Sequence, residues 1–373
     1  MRIAFFAPHK PIDHETPSGD LMIGKSLHDY LCAHGHEVVI ASRMRLRNVT
    51  TTPCKWPLLY FEYNKALKRV KDFAPDLWLT YHSYYKSPDL LGPLITKKLG
   101  IPYLIYQGVF STKHRRNVKT WLGFMANKNA LLHADHVFAN KEIDHKNLSR
   151  IILPEKLTRT RPGINPDDFK FCPKSRTEIR KSLKIRDTPV LMSTAMLRSG
   201  VKEQSLTDLI NAFAIVLKTF PETKLLIAGD GEARERLTSL AKQKTGDQVI
   251  FLGKINRDEL FKYYSAADIF AYPGIHEALG MVYLEAQSAG LPVVAYSTRG
   301  PKEAVAHGET GLLSPEGDLD CLAENILYLF QNNYIRQAMR ELAPKRIKEV
   351  FDQNLNLQHV EKKISLSISR RNH

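Results

Sequence analysis

The strongest constraint in this sequence is an alternation of short apolar runs with helix-period segments that fills the first half, breaks near residues 159–175, and then starts again. Strands separated by helices cannot close tight hairpins, so each series calls for a parallel sheet with helices packed on its faces. In the first series RIAFFAP, HGHEVVIAS, PDLWLTYH (75–82), IPYLIYQG (101–108) and ADHVFANKE (134–142) read as strands. The pattern through Leu21, Ile23, Leu27 and Leu31 and the stretch LLGPLITKKLG (90–100) read as helices. In the second series TPVLMSTAM (188–196), TKLLIAGDG, QVIFLG and LPVVAYS supply strands, and SLTDLINAFAIVLKTF a helix. The break, RTRPGINPDDFKFCPKS, is rich in proline, glycine and polar residues, as an exposed connection is. The sequence therefore predicts an α/β chain of two Rossmann-like doubly wound domains, 1–165 and 166–350, with a helical tail, 351–373, suited to cross back to the first domain. A length of 373 residues agrees with two domains.

Composition narrows the function classes. At 43% hydrophobic and 25% charged residues the chain is neither disordered nor fibrous. No apolar run is long enough to span a bilayer, and MRIAFFAPHKPIDHE lacks the features of a signal peptide, so a cytoplasmic location is expected. Cys32, Cys54, Cys172 and Cys321 are widely spaced and form no CxxC, which predicts reduced thiols and no zinc site. The formal net charge of +15 favours anionic partners. Residues 1–165 carry 25 Lys and Arg against 13 Asp and Glu, whereas residues 166–373 carry 29 against 26, so the basic excess lies in the first half.

Part of that excess sits in STKHRRNVKTWLGFMANK (111–128), which combines Lys113, Arg115, Arg116, Lys119 and Lys128 with Trp121, Leu122, Phe124 and Met125. SRMRLRN (42–48) and NKALKRVK (64–71) add to it. Two readings stay open: peripheral attachment to an anionic membrane surface, or a solvated basic face whose Trp121, Leu122 and Met125 pack into the core. Nucleic acid is not expected as a partner, because no recognition motif accompanies the charge.

The densest chemical pattern is PGIHEALGMVYLEAQSAGLPVV (273–294). Glu277 and Glu285 are eight residues apart, and a helix starting near Gly280 would leave amides from Ala278 through Leu279, Gly280 and Met281 to Val282 free between them. Such a helix start attracts a phosphate, and a carboxylate on either side can accept hydrogen bonds from hydroxyls. That combination suits a nucleotide sugar. An isolated pair at this spacing is equally what a loop acid and a solvent-facing helix acid produce.

The pair has ordered company. IAGDGEARERL, VIFLGKI, YYSAADIFAYPGIHEALGMVYLEAQSAGLPVVA and GPKEAVAHGETGLL follow one another at βα intervals. In this the second half resembles the nucleotide-sugar domain of a family 4 retaining glycosyltransferase of the GT-B fold, two Rossmann-like domains facing a central cleft. RIAFFAP, the PSGD loop, HGHEVVI, PDLWLTYH, LGIPYLIYQG, ADHVFAN and RPGIN extend the resemblance to about residues 1–350.

The resemblance implies roles for particular residues. Arg198 and Lys202 match the cations that contact the donor diphosphate, although Glu203 stands where glycine is usual. Gly19 of the Ser18-Gly19 pair matches a residue whose backbone approaches the donor phosphate. The base would lie near Leu252, Glu285 would hold the ribose hydroxyls, and Glu277 would touch the transferred sugar. Gln107 stands where a histidine is common near the reacting sugar, and His82 ends the preceding strand. Either is an acceptor-side or sugar-side candidate, or else a strand-closing polar residue and a loop amide.

The implied activity is transfer of a sugar from a UDP-sugar or GDP-sugar to a glycan or lipid-linked acceptor, with retention and with neither metal nor cofactor, in cell-surface polysaccharide or lipopolysaccharide synthesis. Cations and a helix start would take the place of a divalent ion at the leaving diphosphate. The alternatives are a non-catalytic nucleotide- or membrane-binding scaffold of the same fold, a nucleotide-sugar epimerase, and a hydrolase using the two carboxylates.

Overall fold

A computed structural model of the chain describes residues 1–14, 19–185 and 187–369. It divides into two compact units, one of Met1–Pro162 with Gln353–His373 and one of Gly163–Asp352. Each unit is built on a six-stranded, wholly parallel sheet.

In the first unit β1 (Arg2–Phe6), β2 (Glu37–Ser42), β3 (Leu77–Ser83), β4 (Tyr103–Gly108), β5 (His136–Ala139) and β6 (Leu157–Arg159) lie in the order β2-β1-β3-β4-β5-β6. Both faces of this sheet are covered, which is why its strands read as continuous apolar runs. Strand β1 shows the division. Ala4 and Phe6 join Val70, Ile95 and Leu131 on one side. Ile3 and Phe5 join Leu27 and Leu31 on the other, together with Leu357, Val360 and Ile364 of the last helix, Gln353–Ser369. That helix is also tied by Glu361, whose carboxylate meets His36 Nε2 at 2.8 Å and accepts from the Tyr30 hydroxyl at 3.0 Å.

In the second unit β7 (Val190–Thr194), β8 (Lys224–Ala228), β9 (Val249–Gly253), β10 (Ile269–Ala271), β11 (Val293–Tyr296) and β12 (Gly311–Ser314) take the order β12-β11-β10-β7-β8-β9. One apolar cluster runs through the unit, from Val190 and Leu225 to Phe270, Val294, Leu322 and Ile347. Arg176 and Arg180 brace the start of β10, each donating about 2.6–2.7 Å bonds to Asp268 and others to carbonyls of residues 265–267. A hollow of about 730 Å³ opens beside them. Its two inner guanidiniums are committed to Asp268 and the main chain, so we read it as part of this clamp and not as the chemical site.

Some boundaries differ from the sequence reading. The main chain passes between units at 162/163, not 165, because Ile164 already bonds to Phe351 of the second unit. The long helix starts at Val201, four residues before the apolar pattern does. Strands β6 and β12 were not anticipated: they are edge strands of three and four residues, too short to display a period.

Candidate functional site

In the second unit, the chain leaves β10 through Tyr272, turns at Gly274, and enters the helix Met281–Ser288. The turn needs glycine. Gly274 has φ 69° and a Cβ there would meet the Tyr283 hydroxyl, while Gly280, the N-cap at φ 77°, would meet the Tyr283 ring. The helix therefore starts where the sequence predicts. The amides of Ala278, Leu279, Met281 and Val282 make no hydrogen bond among the described residues, so they are donors at the positive end of the helix dipole. Ala278 is exposed, Gly280, Met281 and Val282 are half-buried, and Leu279 is buried.

Glu277 sits in the turn just before this helix and pairs directly with the ammonium of Lys202. The Tyr272 hydroxyl lies 3.5 Å from the same carboxylate oxygen, and its ring centroid is 5.5 Å from Lys202 Nζ. Lys202 occupies the first turn of the helix Val201–Val216, after β7. Burial, reinforced by the charge of Arg198, lowers its pKa to about 8. At about 8 the group is still an ammonium at neutral pH. Arg198 is exposed in the loop between β7 and that helix. Gly229 and Gly231, after β8, press on the same loop: a Cβ at either would strike the carbonyl of Ala195 or Leu197.

Glu285 is the fifth residue of the short helix and is buried. The solvent-facing alternative is thereby excluded. Its Oε2 accepts from the Tyr264 hydroxyl at 3.1 Å and its Oε1 from Arg257 Nη2 at 3.3 Å. Burial raises the Glu285 carboxyl above its ordinary value against the pull of Arg257 and Tyr264. Sequence reasoning missed both partners, since one tyrosine in YYSAAD and one arginine in a short turn carry no distinguishing signal. Leu252 lies in the edge strand β9, half-buried against the core.

The first unit gathers a separate group at the carboxyl ends of its central strands. Register places Tyr81 opposite Tyr106 and Ser83 opposite Gly108, so His82 of β3 and Gln107 of β4 fall at one level. Both are left-handed, at φ 58° and 65°, a conformation costing roughly 1–3 kcal/mol for a non-glycine residue. Both reach Asp20, the second residue of the helix Gly19–Ala33: His82 Nδ1 is 2.7 Å from Oδ1, and Gln107 Nε2 donates to it at 3.0 Å. Gln107 Oε1 accepts from Tyr81 and from Asn140 Nδ2. Gln107 is thus a buried strand residue and not a loop amide. Burial tends to raise the Asp20 carboxyl, but His82, His9 and the Tyr81 hydroxyl together hold it below its ordinary value. Asp20 went unsuspected because its partners lie 61 and 87 residues away.

Gly19 opens its helix, and among the described residues no atom lies within 4 Å of a would-be Cβ. Ser18 lies outside the described residues. The basic segment forms the helix Val118–His133, in which Phe124 is buried while Trp121, Leu122 and Met125 are 42–48% exposed. Packing of those three into the core is therefore corrected.

Residues 175–346 match the family described as Glycosyl transferases group 1. A GDP-mannose-dependent alpha-(1-6)-phosphatidylinositol monomannoside mannosyltransferase of Mycobacterium tuberculosis is 32% identical over 176 residues, 45% of each chain. The chain thus spans about half the length of that curated relative. A GDP-mannose-dependent alpha-mannosyltransferase of the same organism is 27% identical over 82% of this chain and 75% of its own. Among solved structures, Anabaena Alr3699/HepE in complex with UDP superposes with a TM-score of 0.76 at 18% identity, covering 98% of this chain and all of that one. At that identity the likeness concerns the fold.

Proposed function

We propose that this chain, a GT-B protein whose residues 175–346 are a glycosyl transferases group 1 domain, moves a glycosyl group from a nucleoside diphosphate sugar to a hydroxyl of a glycan or lipid-linked acceptor. The observation that carries the reading is the second-unit constellation of the Lys202–Glu277 pair, the amide donors at the start of the helix Met281–Ser288, and the buried Glu285. A diphosphate is drawn to a helix start flanked by Lys202 and Arg198, which would stabilise the charge that develops on it as the sugar leaves. Cations and amides supply that stabilisation, so we expect transfer to proceed in chelator. Glu285 would bind ribose hydroxyls and Glu277 those of the sugar.

We assign retention of configuration, by a route on the face from which the diphosphate departs. Glu277 is held by Lys202, which leaves it ill suited to be the free nucleophile of a double displacement. The GDP-mannose-dependent mannosyltransferases among the relatives favour GDP-mannose as the first donor to test, and the UDP complex makes UDP-glucose the second. Purified protein incubated with each should be stabilised against heat by one, and the product's anomeric proton should report retention by NMR. No stabilisation by any nucleotide sugar would favour a scaffold, and epimerised sugar still attached to nucleotide would favour an epimerase.

We further propose that the first unit lies against an anionic membrane. The helix Trp56–Phe73 exposes Trp56, Leu58, Tyr60 and Phe61, and the helix Val118–His133 exposes Val118, Trp121, Leu122 and Met125. The turn Val49–Thr51 packs on the second helix and precedes the first in the chain. Lys55, Lys113, Arg115, Arg116 and Lys119, close to them in sequence, are exposed. Each cation near an anionic surface is worth about 1 kcal/mol. Exchanging Lys113, Arg115, Arg116 and Lys119 for glutamine should therefore weaken co-sedimentation with phosphatidylglycerol vesicles roughly 100-fold or more. Equal binding to phosphatidylcholine vesicles would count against the idea.

A further inference from the structure

Glu203, which stands where glycine is usual, follows Lys202 directly and is the third residue of the helix Val201–Val216. Its main-chain amide donates to the carbonyl of Arg198 at 3.0 Å. A carboxylate is thus built into the short segment that carries both cations assigned to the diphosphate. An unpaired carboxylate there would attract Arg198, whose exposed side chain makes no hydrogen bond or ion pair among the described residues. It would also repel a phosphate group.

The carboxylate is paired instead with a residue 33 positions away. Arg236, the third residue of the helix Arg234–Thr245 after β8, grips it with a fork of two bonds: Nε donates to Oε1 at 2.6 Å and Nη2 to Oε2 at 2.9 Å. Nη2 also donates to Ser199 Oγ at 2.9 Å, and the Ser199 amide donates to Glu232 Oε1 at 3.0 Å. Arg236 therefore ties both ends of the segment 199–203, and Glu232 adds a third tie. The bonds from Arg236 hold the Glu203 carboxyl below its ordinary value, and those from Ser199 do the same for Glu232. Between the tied residues, Gly200 turns the chain at φ 89°, and among the described residues no atom lies within 4 Å of a would-be Cβ. Packing does not fix the turn at that point, and the polar ties do. An exposed ion pair of this sort adds little to stability, so its place beside Arg198 and Lys202 calls for an account in terms of those cations.

We propose that Arg236 is a positioning residue for the diphosphate: by engaging Glu203 and Ser199 it keeps the Glu203 carboxylate off Arg198 and Lys202 and leaves their charge to the ligand. The role given to those two cations rests on the transferase reading above. Arg236 itself touches no reacting group and acts only through the segment it holds.

The test is a double-mutant cycle on the full chain, with inorganic pyrophosphate, GDP and UDP titrated in a calorimeter. Arg236→Ala, which leaves the carboxylate charged and unpaired, should weaken binding of the diphosphate ligands roughly tenfold. Glu203→Gln should bind within about threefold of wild type, and Arg236→Ala with Glu203→Gln should recover to the level of Glu203→Gln alone. The deficit of Arg236→Ala relative to wild type should also shrink as salt is raised, because the charges involved are exposed. All three proteins should melt within about 2 °C of wild type. A double variant as weak as Arg236→Ala would show a merely structural tie and overturn the proposal, and so would a deficit that salt leaves unchanged. Wild type that binds none of the three ligands overturns it as well. The expected pattern with pyrophosphate, without transfer from any nucleotide sugar, would sink the transferase reading and leave the positioning role standing. Transfer by wild type with unaltered diphosphate affinity in Arg236→Ala would sink the positioning role alone.

Discussion

Lys202→Ala lowers kcat/KM for sugar transfer by roughly 100- to 1,000-fold, the usual effect of removing one preorganised charge from a site where negative charge develops. The ammonium is three-quarters buried and held between Glu277 and the Tyr272 ring, so its field is screened less than that of a surface lysine. Its loss also leaves a half-buried Glu277 carboxylate unpaired beside the helix start that the diphosphate would occupy, and that carboxylate would repel the donor. A double variant separates the two effects. If Lys202 serves only to neutralise Glu277, Lys202→Ala with Glu277→Gln is no slower than Glu277→Gln alone. If the ammonium acts on the phosphate, the double variant is slower than Glu277→Gln alone by most of the Lys202 effect, and that is the outcome expected here. The pH profile supplies a second measurement. With Lys202 lowered to about 8, kcat/KM in the free enzyme should fall as pH rises through about 8, because the charged form is the active one. The alanine variant should lack that limb, and an unchanged alkaline limb would refute the assignment.

Periodicity carried the fold because both sheets are parallel and covered on each face: such strands are apolar throughout, and the helices between them repeat on a different period. It failed at β6 and β12, where three or four residues at a sheet edge bury too little to show a pattern. The candidate donor site was legible in part for a related reason. Glu277, Gly280 and Glu285 lie in one continuous turn and helix, so local spacing records their geometry. What spacing cannot record is which side chains close on them. Tyr264 and Arg257, the partners of Glu285, precede it by 21 and 28 residues and meet it only once β10 and its flanking helices have packed. The pairing of Lys202 with Glu277 likewise joins the loop after β7 to the loop after β10 and follows from these strands being neighbours, which alternation alone does not specify.

The two halves of the molecule also illustrate different ways of storing polarity. In the second unit every oxygen of Glu285 has a protein partner, so a ligand must compete with or join those bonds. In the first unit Asp20 and Asn140 keep acceptors in reserve.

Glu285→Gln is expected to make the protein more stable and a poorer binder of nucleotide sugars. Burial raises the Glu285 carboxyl above the 4.5 of an ordinary glutamate, and Arg257, about half exposed, attracts it only through screened charge. Between 4.5 and the raised value the folded protein holds a proton that the unfolded chain has lost, so stability falls as pH rises across that interval. At neutral pH an ionised Glu285 therefore detracts from stability. Glutamine fills the same volume, can still accept one of the bonds from Tyr264 and Arg257, and carries no charge to desolvate. The variant should melt above wild type at pH 7, with the gap closing as pH falls toward 4.5, where wild type also carries a neutral side chain. The same exchange removes the charged acceptor assigned to the ribose hydroxyls, and losing one or two charge-assisted hydrogen bonds of about 1.5–3 kcal/mol each should weaken GDP-sugar or UDP-sugar binding roughly 100-fold. Calorimetry and a ligand titration on one preparation decide the matter. A lower melting temperature would show that Glu285 is there for the fold, and a higher one with undiminished affinity would show that the nucleotide binds elsewhere. Only the combination of greater stability with lost affinity fits a carboxylate kept buried and charged for a ligand, a trade of stability for function that an unused side chain does not make.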